Sequence, residues 1–123
     1  KALQVGATLG VHVCDDALAG SDVEVRVELP RLMPAVESAL YHLALEAVGN
    51  ARKHAPGARI VVEARLDAAH AAVEVRDDGP GFVVGDEIGG LTYLADRIRA
   101  IGGTLDVRSA PGAGTRVVAA VPY

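Results

Sequence analysis

The sequence predicts an α/β protein, a two-layer α/β sandwich in which helices lie on one face of a mixed sheet. Two stretches carry apolar residues at steps of three and four, while several short runs alternate apolar and polar residues with a period of two. Gly or Pro stands at most of the boundaries between them, where turns are needed. With 123 residues, 50% of them hydrophobic and 23% charged, the chain has the size and composition of a single folded domain spanning 1–123.

Residues 1–22 are the least regular part. Leu9, Val11 and Val13 alternate like a short strand, and Asp15 to Asp22 has the Asp, Gly and Ser content of a loop. Val23, Val25, Val27 and Leu29 alternate with Glu24, Arg26 and Glu28, which predicts a strand with one buried face, closed by Pro30. From Pro34 to about His54, Val36, Leu40, Leu43, Ala47 and Ala51 line one side of a helix that opens with proline in its first turn and stops at Pro56-Gly57. Ile60, Val62, Ala64 and Leu66, then Val73 and Val75, predict a hairpin with a loop from Asp67 to Ala72. An irregular Gly-Pro-Gly-Phe and acidic segment runs from Asp78 to about Ile88. Leu91, Leu94, Ala95, Ile98 and Ile101 then mark a second helix, capped by Gly102-Gly103. Leu105 and Val107 form a strand, Ser109 to Thr115 a tight turn, and Val117 to Val121 a last strand.

The balance of charge limits the function. A net charge of -4 with both signs interspersed provides no basic footprint for nucleic acid, and four aromatic residues (Tyr41, Phe82, Tyr93, Tyr123) provide few stacking platforms. Cys14 is the single cysteine, so neither an internal disulfide nor a thiolate metal cluster is available, as in a reducing, cytoplasmic setting. No run of 18 apolar residues and no signal pattern occurs, so no direct membrane contact is expected from this domain. Because the chain starts at Lys1 rather than Met, it is expected to be a piece of a longer protein, possession of a membrane anchor elsewhere being left open.

Function is most visible where polar residues interrupt apolar faces. At about 100° per residue, Glu46, Asn50 and Lys53 fall on one polar line along the border of the long helix's apolar stripe. Alone, such a line is more often a solvated flank than a site. His54 points nearer the apolar side, where a histidine commonly partners the last carbonyls. In Val73-Glu74-Val75-Arg76-Asp77-Asp78 the alternation places Asp77 on the same face as the valines, so a carboxylate lies on the core side and requires donors. Gly79 and Gly81 follow, where the backbone can approach a ligand or take positive φ, although an ordinary Asp-Gly turn has the same composition. Gly89 and Gly90 precede Leu91 at a helix start, a place suited to anions. Ser109 to Thr115 reads by itself as a hairpin turn.

Taken in order, these pieces resemble the ATP-binding domain of the GHKL superfamily, which includes gyrase-type, heat-shock-chaperone and mismatch-repair ATPases and sensor histidine kinases. Glu46-Ala47-Val48-Gly49-Asn50-Ala51-Arg52-Lys53-His54-Ala55 is similar to the N box, Asp77-Asp78-Gly79-Pro80-Gly81-Phe82 to the first glycine box, Gly89-Gly90-Leu91 to the second, and Ser109 to Thr115 to the closing Ser-x-Pro-Gly-x-Gly-Thr turn. The motifs lie within 32–122, and four in this order and spacing are far more specific than any one of them. The short segment between Phe82 and Gly89 and the Lys53-His54-Ala55 ending resemble sensor histidine kinases of the nitrate-sensor type.

The resemblance implies a Bergerat-type fold with ATP held between the helices and a lid. It implies that Asn50 holds Mg2+, that Glu46 assists or orients the attacking group, and that Lys53 lies near the phosphates. Asp77 would accept from the adenine amino group, with Gly79, Gly81, Gly114 and Thr115 shaping that end and His54 beside it. Gly89, Gly90 and Leu91 would face phosphate. The implied partners are a dimerisation domain carrying the phosphoacceptor histidine, absent from this chain because His12, His42, His54 and His70 all lack the acidic, Arg-rich helical context, and a response regulator. An anti-sigma-factor serine kinase and a non-catalytic nucleotide-binding module are the alternative readings. Two departures stand out: Ile88 replaces the first glycine of the usual Gly-x-Gly-Leu, restricting the lid backbone, and Ala95 stands where these kinases usually have arginine.

Overall fold

The computed structural model describes residues 23–81 and 89–122. The expected strand at Leu9 to Val13, and the lid segment with Phe82 and Ile88, lie outside the described residues. Among the described residues five strands form one sheet in the order β1-β2-β3-β5-β4: β1 (Val23–Glu28), β2 (Ile60–Leu66), β3 (His70–Asp77), β4 (Thr104–Ser109) and β5 (Thr115–Pro122). Of these five strands only β1 and β2 pair in parallel, and the helix α1 (Pro34–His54) connects them, as a parallel pair requires a crossover. The other pairs are antiparallel, and the sheet is mixed as the sequence predicts.

Helix α1 begins and ends where its residues dictate. Pro34 sits in the first turn, the Met33 carbonyl accepts from Val36 N at 2.9 Å, and the Glu37 carboxylate reaches back to Leu32 N at 3.1 Å. Arg52, Lys53 and His54 place positive charge and polar groups in the last turn, before Pro56 and Gly57. The buried stripe includes Leu40, Leu43, Ala47, Val48 and Ala51. It packs over the inner face of the sheet with Ile60, Val62, Val73, Val117 and Val121. Each large apolar side chain buried here contributes about 1.5–3 kcal/mol.

A second helix, α2 (Gly89–Ala100), adds Leu91, Leu94 and Ile98 to the same core. It closes where expected, with Gly102 N donating to the Arg99 carbonyl at 3.0 Å and Gly103 N to that of Ile98 at 2.9 Å.

The hairpin loop is shorter than predicted. Asp67 Oδ1 accepts from Ala69 N at 2.8 Å and His70 N at 2.7 Å, so the chain reverses over Asp67 to Ala69 and β3 already starts at His70, opposite Pro122. His70 is therefore a strand residue, not a loop residue. The local signal is weak because His70-Ala71-Ala72 lacks the β-branched residues that mark strands.

Candidate functional site

The register of the sheet brings three polar side chains into one lateral row on the helix-covered face. Asp77 ends β3 and pairs with Thr115 at the start of β5, and Thr115 pairs with Ser109 at the end of β4. One step inward the row is apolar, with Val75 opposite Val117. Above this floor runs α1, which presents Ala47, Asn50, Ala51 and His54 at helical steps of three and four. Ala55, Gly81 and, from α2, Leu91 complete a narrow cleft that opens to solvent.

Asp77 is the charged group of this cleft and is half-buried. Burial pushes its carboxyl above the usual carboxylate range, and the neighbouring Asp78 adds to the rise. Backbone N–H groups of Gly79 and Thr115 act in the opposite direction, with Gly79 N donating to Oδ1 at 2.9 Å. Among the described residues no cation pairs with it. The carboxylate therefore retains acceptor capacity toward the cleft. Asp78 faces the other way, as the alternation predicts: it is exposed, and its Oδ1 accepts from Arg59 N at 2.8 Å.

The glycines around Asp77 permit close backbone packing. Gly81 has φ 70°, and a Cβ there would run into the Ala110 carbonyl; Gly114 has φ 73°, and a Cβ there would strike the carbonyl of Asp77. Gly79 backs against Ala55 at the end of α1, so a side chain there would push the helix away from Asp77. Gly112 N also donates to the Pro80 carbonyl. The loop after β3 and the β4–β5 turn are thereby braced against each other beside the cleft.

Of the residues singled out from sequence, Asn50, His54, Asp77, Gly81, Leu91 and Thr115 meet in the cleft. Gly79 and Gly114 stand behind Asp77, and Gly89 and Gly90 form the start of α2, where unpaired N–H groups and the positive end of the helix dipole favour anions. Glu46 and Lys53 do not line the cleft. Each precedes a lining residue by one position, Ala47 and His54, and so points about 100° away around the helix. The polar line Glu46-Asn50-Lys53 is thus split: Asn50 lies inside, Glu46 is half-buried outside, and Lys53 is exposed. Sequence reasoning missed the apolar walls Ala47, Ala51, Ala55, Val75 and Val117. The i, i+4, i+8 alanines were a visible signal, since small residues let a ligand approach a helix closely.

Comparison with known proteins agrees with this geometry. Residues 35–123 match the model for the histidine kinase-, DNA gyrase B- and HSP90-like ATPase family. Among curated relatives, the histidine-protein kinase/phosphatase DegS of Bacillus subtilis is 33% identical over 75% of this chain and 26% of its own length. The sensor protein VraS of Staphylococcus saprophyticus is 28% identical over 78% of this chain and 28% of its own. A sensor-like histidine kinase of Chloroflexus aurantiacus is 34% identical over 85% of this chain and 18% of its own. The chain thus spans less than a third of the length of these relatives.

Among solved structures, the histidine kinase domain of a blue-light activated kinase from Erythrobacter litoralis superposes with a TM-score of 0.69 at 22% identity, over 96% of this chain and 60% of that one. The Acinetobacter baumannii histidine kinase AdeS gives 0.66 at 13% identity, over 98% and 64%. These structures share the fold, an α/β sandwich with an open mixed sheet. By the match over residues 35–123, the chain belongs to the histidine kinase-, DNA gyrase B- and HSP90-like ATPase family.

Proposed function

We propose that this chain is the ATP-binding catalytic domain of a two-component sensor histidine kinase. It holds Mg-ATP and transfers the γ-phosphoryl group to a histidine on a dimerisation domain, from which a response regulator receives it in the cytoplasm. The observation that carries this reading is the position of Asp77: a half-buried carboxylate without a cation among the described residues, at the end of an apolar cleft also lined by Asn50, His54 and Thr115. An amino-bearing purine meets that need, because its N–H group gives the carboxylate the donor that water would otherwise supply.

Asn50 lies across the cleft on α1, with the N-terminal end of α2 as a second wall for phosphates. Among the described residues no group of three His, Cys, Asp or Glu side chains is placed to hold a metal. A single amide oxygen suits Mg2+, which takes most of its ligands from phosphate and water and neutralises charge during transfer. In the reaction a nitrogen of the acceptor imidazole forms a bond to the γ-phosphorus as the bond from that phosphorus to the β,γ-bridging oxygen breaks. ADP leaves with the electron pair. Glu46, half-buried on the flank of α1, takes the imidazole proton or orients the ring, and Lys53, exposed in the last turn of α1, supplies a point charge for the phosphates.

The test is to titrate the protein with ATP, with and without Mg2+, in wild type and Asn50→Ala, and then to supply the dimerisation domain. The expected results are magnesium-dependent binding that Asn50→Ala uncouples from the metal, and an acid-labile phosphoramidate on the acceptor. An acid-stable phosphoserine on a partner would instead indicate a serine kinase, and binding without transfer a nucleotide-sensing module.

A further inference from the structure

Asp78 faces away from the cleft and is exposed, the ordinary place for a solvated carboxylate at the end of a strand. Its bonds are less ordinary. Asp77 pairs with Ile60 in the β2–β3 register, so the next pair outward is Asp78 with Arg59. A hydrogen-bonded antiparallel pair exchanges two backbone bonds. Here Asp78 N donates to the Arg59 carbonyl at 3.3 Å, but Arg59 N donates at 2.8 Å to the Asp78 side chain, through Oδ1. The carboxylate stands in for the backbone carbonyl, and the ladder is closed although the main chain is already leaving the strand toward Pro80 and Gly81.

This clasp joins the two walls of the cleft. On one side, Arg59 belongs to the chain leaving α1: Ala55 N donates to the Ala51 carbonyl at 2.7 Å and Ala58 N to the Ala55 carbonyl at 3.0 Å, which continues the helix end that carries Asn50 and His54. On the other side, the peptide after Asp78 supplies Gly79 N, which holds Asp77 Oδ1 at 2.9 Å, and Gly79 lies against Ala55. Asp78 therefore ties the end of α1 to the peptide that aims Asp77. Without the tie, Asp77 and Gly79 N keep their own bond but shift together relative to Asn50 and His54. The binding geometry is then populated for a fraction of the time, and apparent affinity falls by that fraction.

We propose that Asp78 is a positioning residue for the nucleotide: by accepting from Arg59 N, its carboxylate fixes the span between the last turn of α1 and the Asp77 carboxylate, and so sets ATP affinity without touching the ligand. This inference rests on the nucleotide reading of the same site and adds to it a residue that lies outside the lining.

The probe is Mg-ATP, and wild type is compared with Asp78→Ala and Asp78→Asn at mildly alkaline pH, which keeps the loss of the Asp78 charge from acting through the titration of Asp77. Urea unfolding gives the folded fraction of each variant, so that the affinities refer to folded protein. Asp78→Ala is expected to weaken binding about fivefold. Asp78→Asn keeps an oxygen for Arg59 N and is expected to bind as wild type does. With the dimerisation domain supplied, KM for ATP rises about fivefold in Asp78→Ala while kcat holds. A merely structural role lowers the folded fraction, and with it kcat, at unchanged KM, and that result overturns the proposal. Asp78→Asn that binds as weakly as Asp78→Ala makes the charge and not the bond the cause, which also overturns it, as does wild-type affinity in Asp78→Ala. Wild type that fails to bind Mg-ATP removes the nucleotide reading itself.

Discussion

The two faces of the sheet handle charge in opposite ways. On the outer face Arg76, Arg116 and Arg108 stand in one cross-strand row, with Glu63, Glu74 and Asp106 in the next. Ion pairs run between the rows, diagonally from Arg76 to Glu63 and from Arg116 to Glu74 at 3.0 Å, and along a strand from Arg76 to Glu74 and from Arg108 to Asp106 at 2.8 Å. The Arg76 guanidinium holds the Glu63 carboxyl below the usual range. On the inner face the row ends in Asp77, beside apolar side chains, and burial moves its carboxyl the other way. Among the described residues the outer face has many more charges, and the inner face holds the candidate site. Paired charges in water describe a solvated surface, while one carboxylate under a helical layer, satisfied by backbone and left open on one side, describes a site.

That contrast is sharpened first by the apolar part of the inner face. Leu43 is fully buried, and Leu43→Ala is expected to cost about 2–5 kcal/mol of stability in urea unfolding. The next largest effect is on binding. Asp77→Asn exchanges a carboxylate for an amide with one acceptor oxygen, and it is expected to weaken ATP binding by about 1–3 kcal/mol with the fold intact.

The titration of Asp77 gives a third, smaller effect. Its folded carboxyl is raised, so the folded chain keeps this proton to higher pH than the unfolded chain does. The group's contribution to stability is fully present below the unfolded value and is lost as pH rises through the folded one. Binding runs the other way, because protonation removes an acceptor. ATP affinity is expected to fall on acidification starting above the ordinary aspartate range, and the same pH series on Asp77→Asn, which carries the nucleotide's own titration, should lack that component.

The smallest effect belongs to the outer face. Arg116→Gln breaks an exposed ion pair and is expected to change stability by at most about 1 kcal/mol, less at high salt, and to leave ATP affinity unchanged. A large loss of binding in this variant would show that the two faces are not separate in function.

Much of this arrangement was legible before the fold. The bounds of α1, the position of Asp77 on the core side and the glycines after it all follow from periods and turn chemistry, which are local properties. The helix flank was harder to read. Glu46, Asn50 and Lys53 share one side of a helical wheel, but which edge of the stripe overhangs the end of β3 is decided by how α1 lies across the sheet, and it brings in Ala47, Asn50, Ala51 and His54 instead. Ser109 is visible in sequence only as a turn residue. Its contact with Thr115 comes from the β4–β5 register, and its distance from the cleft from the strand order β3-β5-β4, neither of which is local.

The most direct measurement is a calorimetric titration of Mg-ATP into wild type, Asp77→Asn and Arg116→Gln. The expected results are saturable binding to wild type, a loss of about fivefold or more in Asp77→Asn, and no change in Arg116→Gln. Equal affinity for wild type and Asp77→Asn would contradict it, since the Asp77 carboxylate would then have no part in the site.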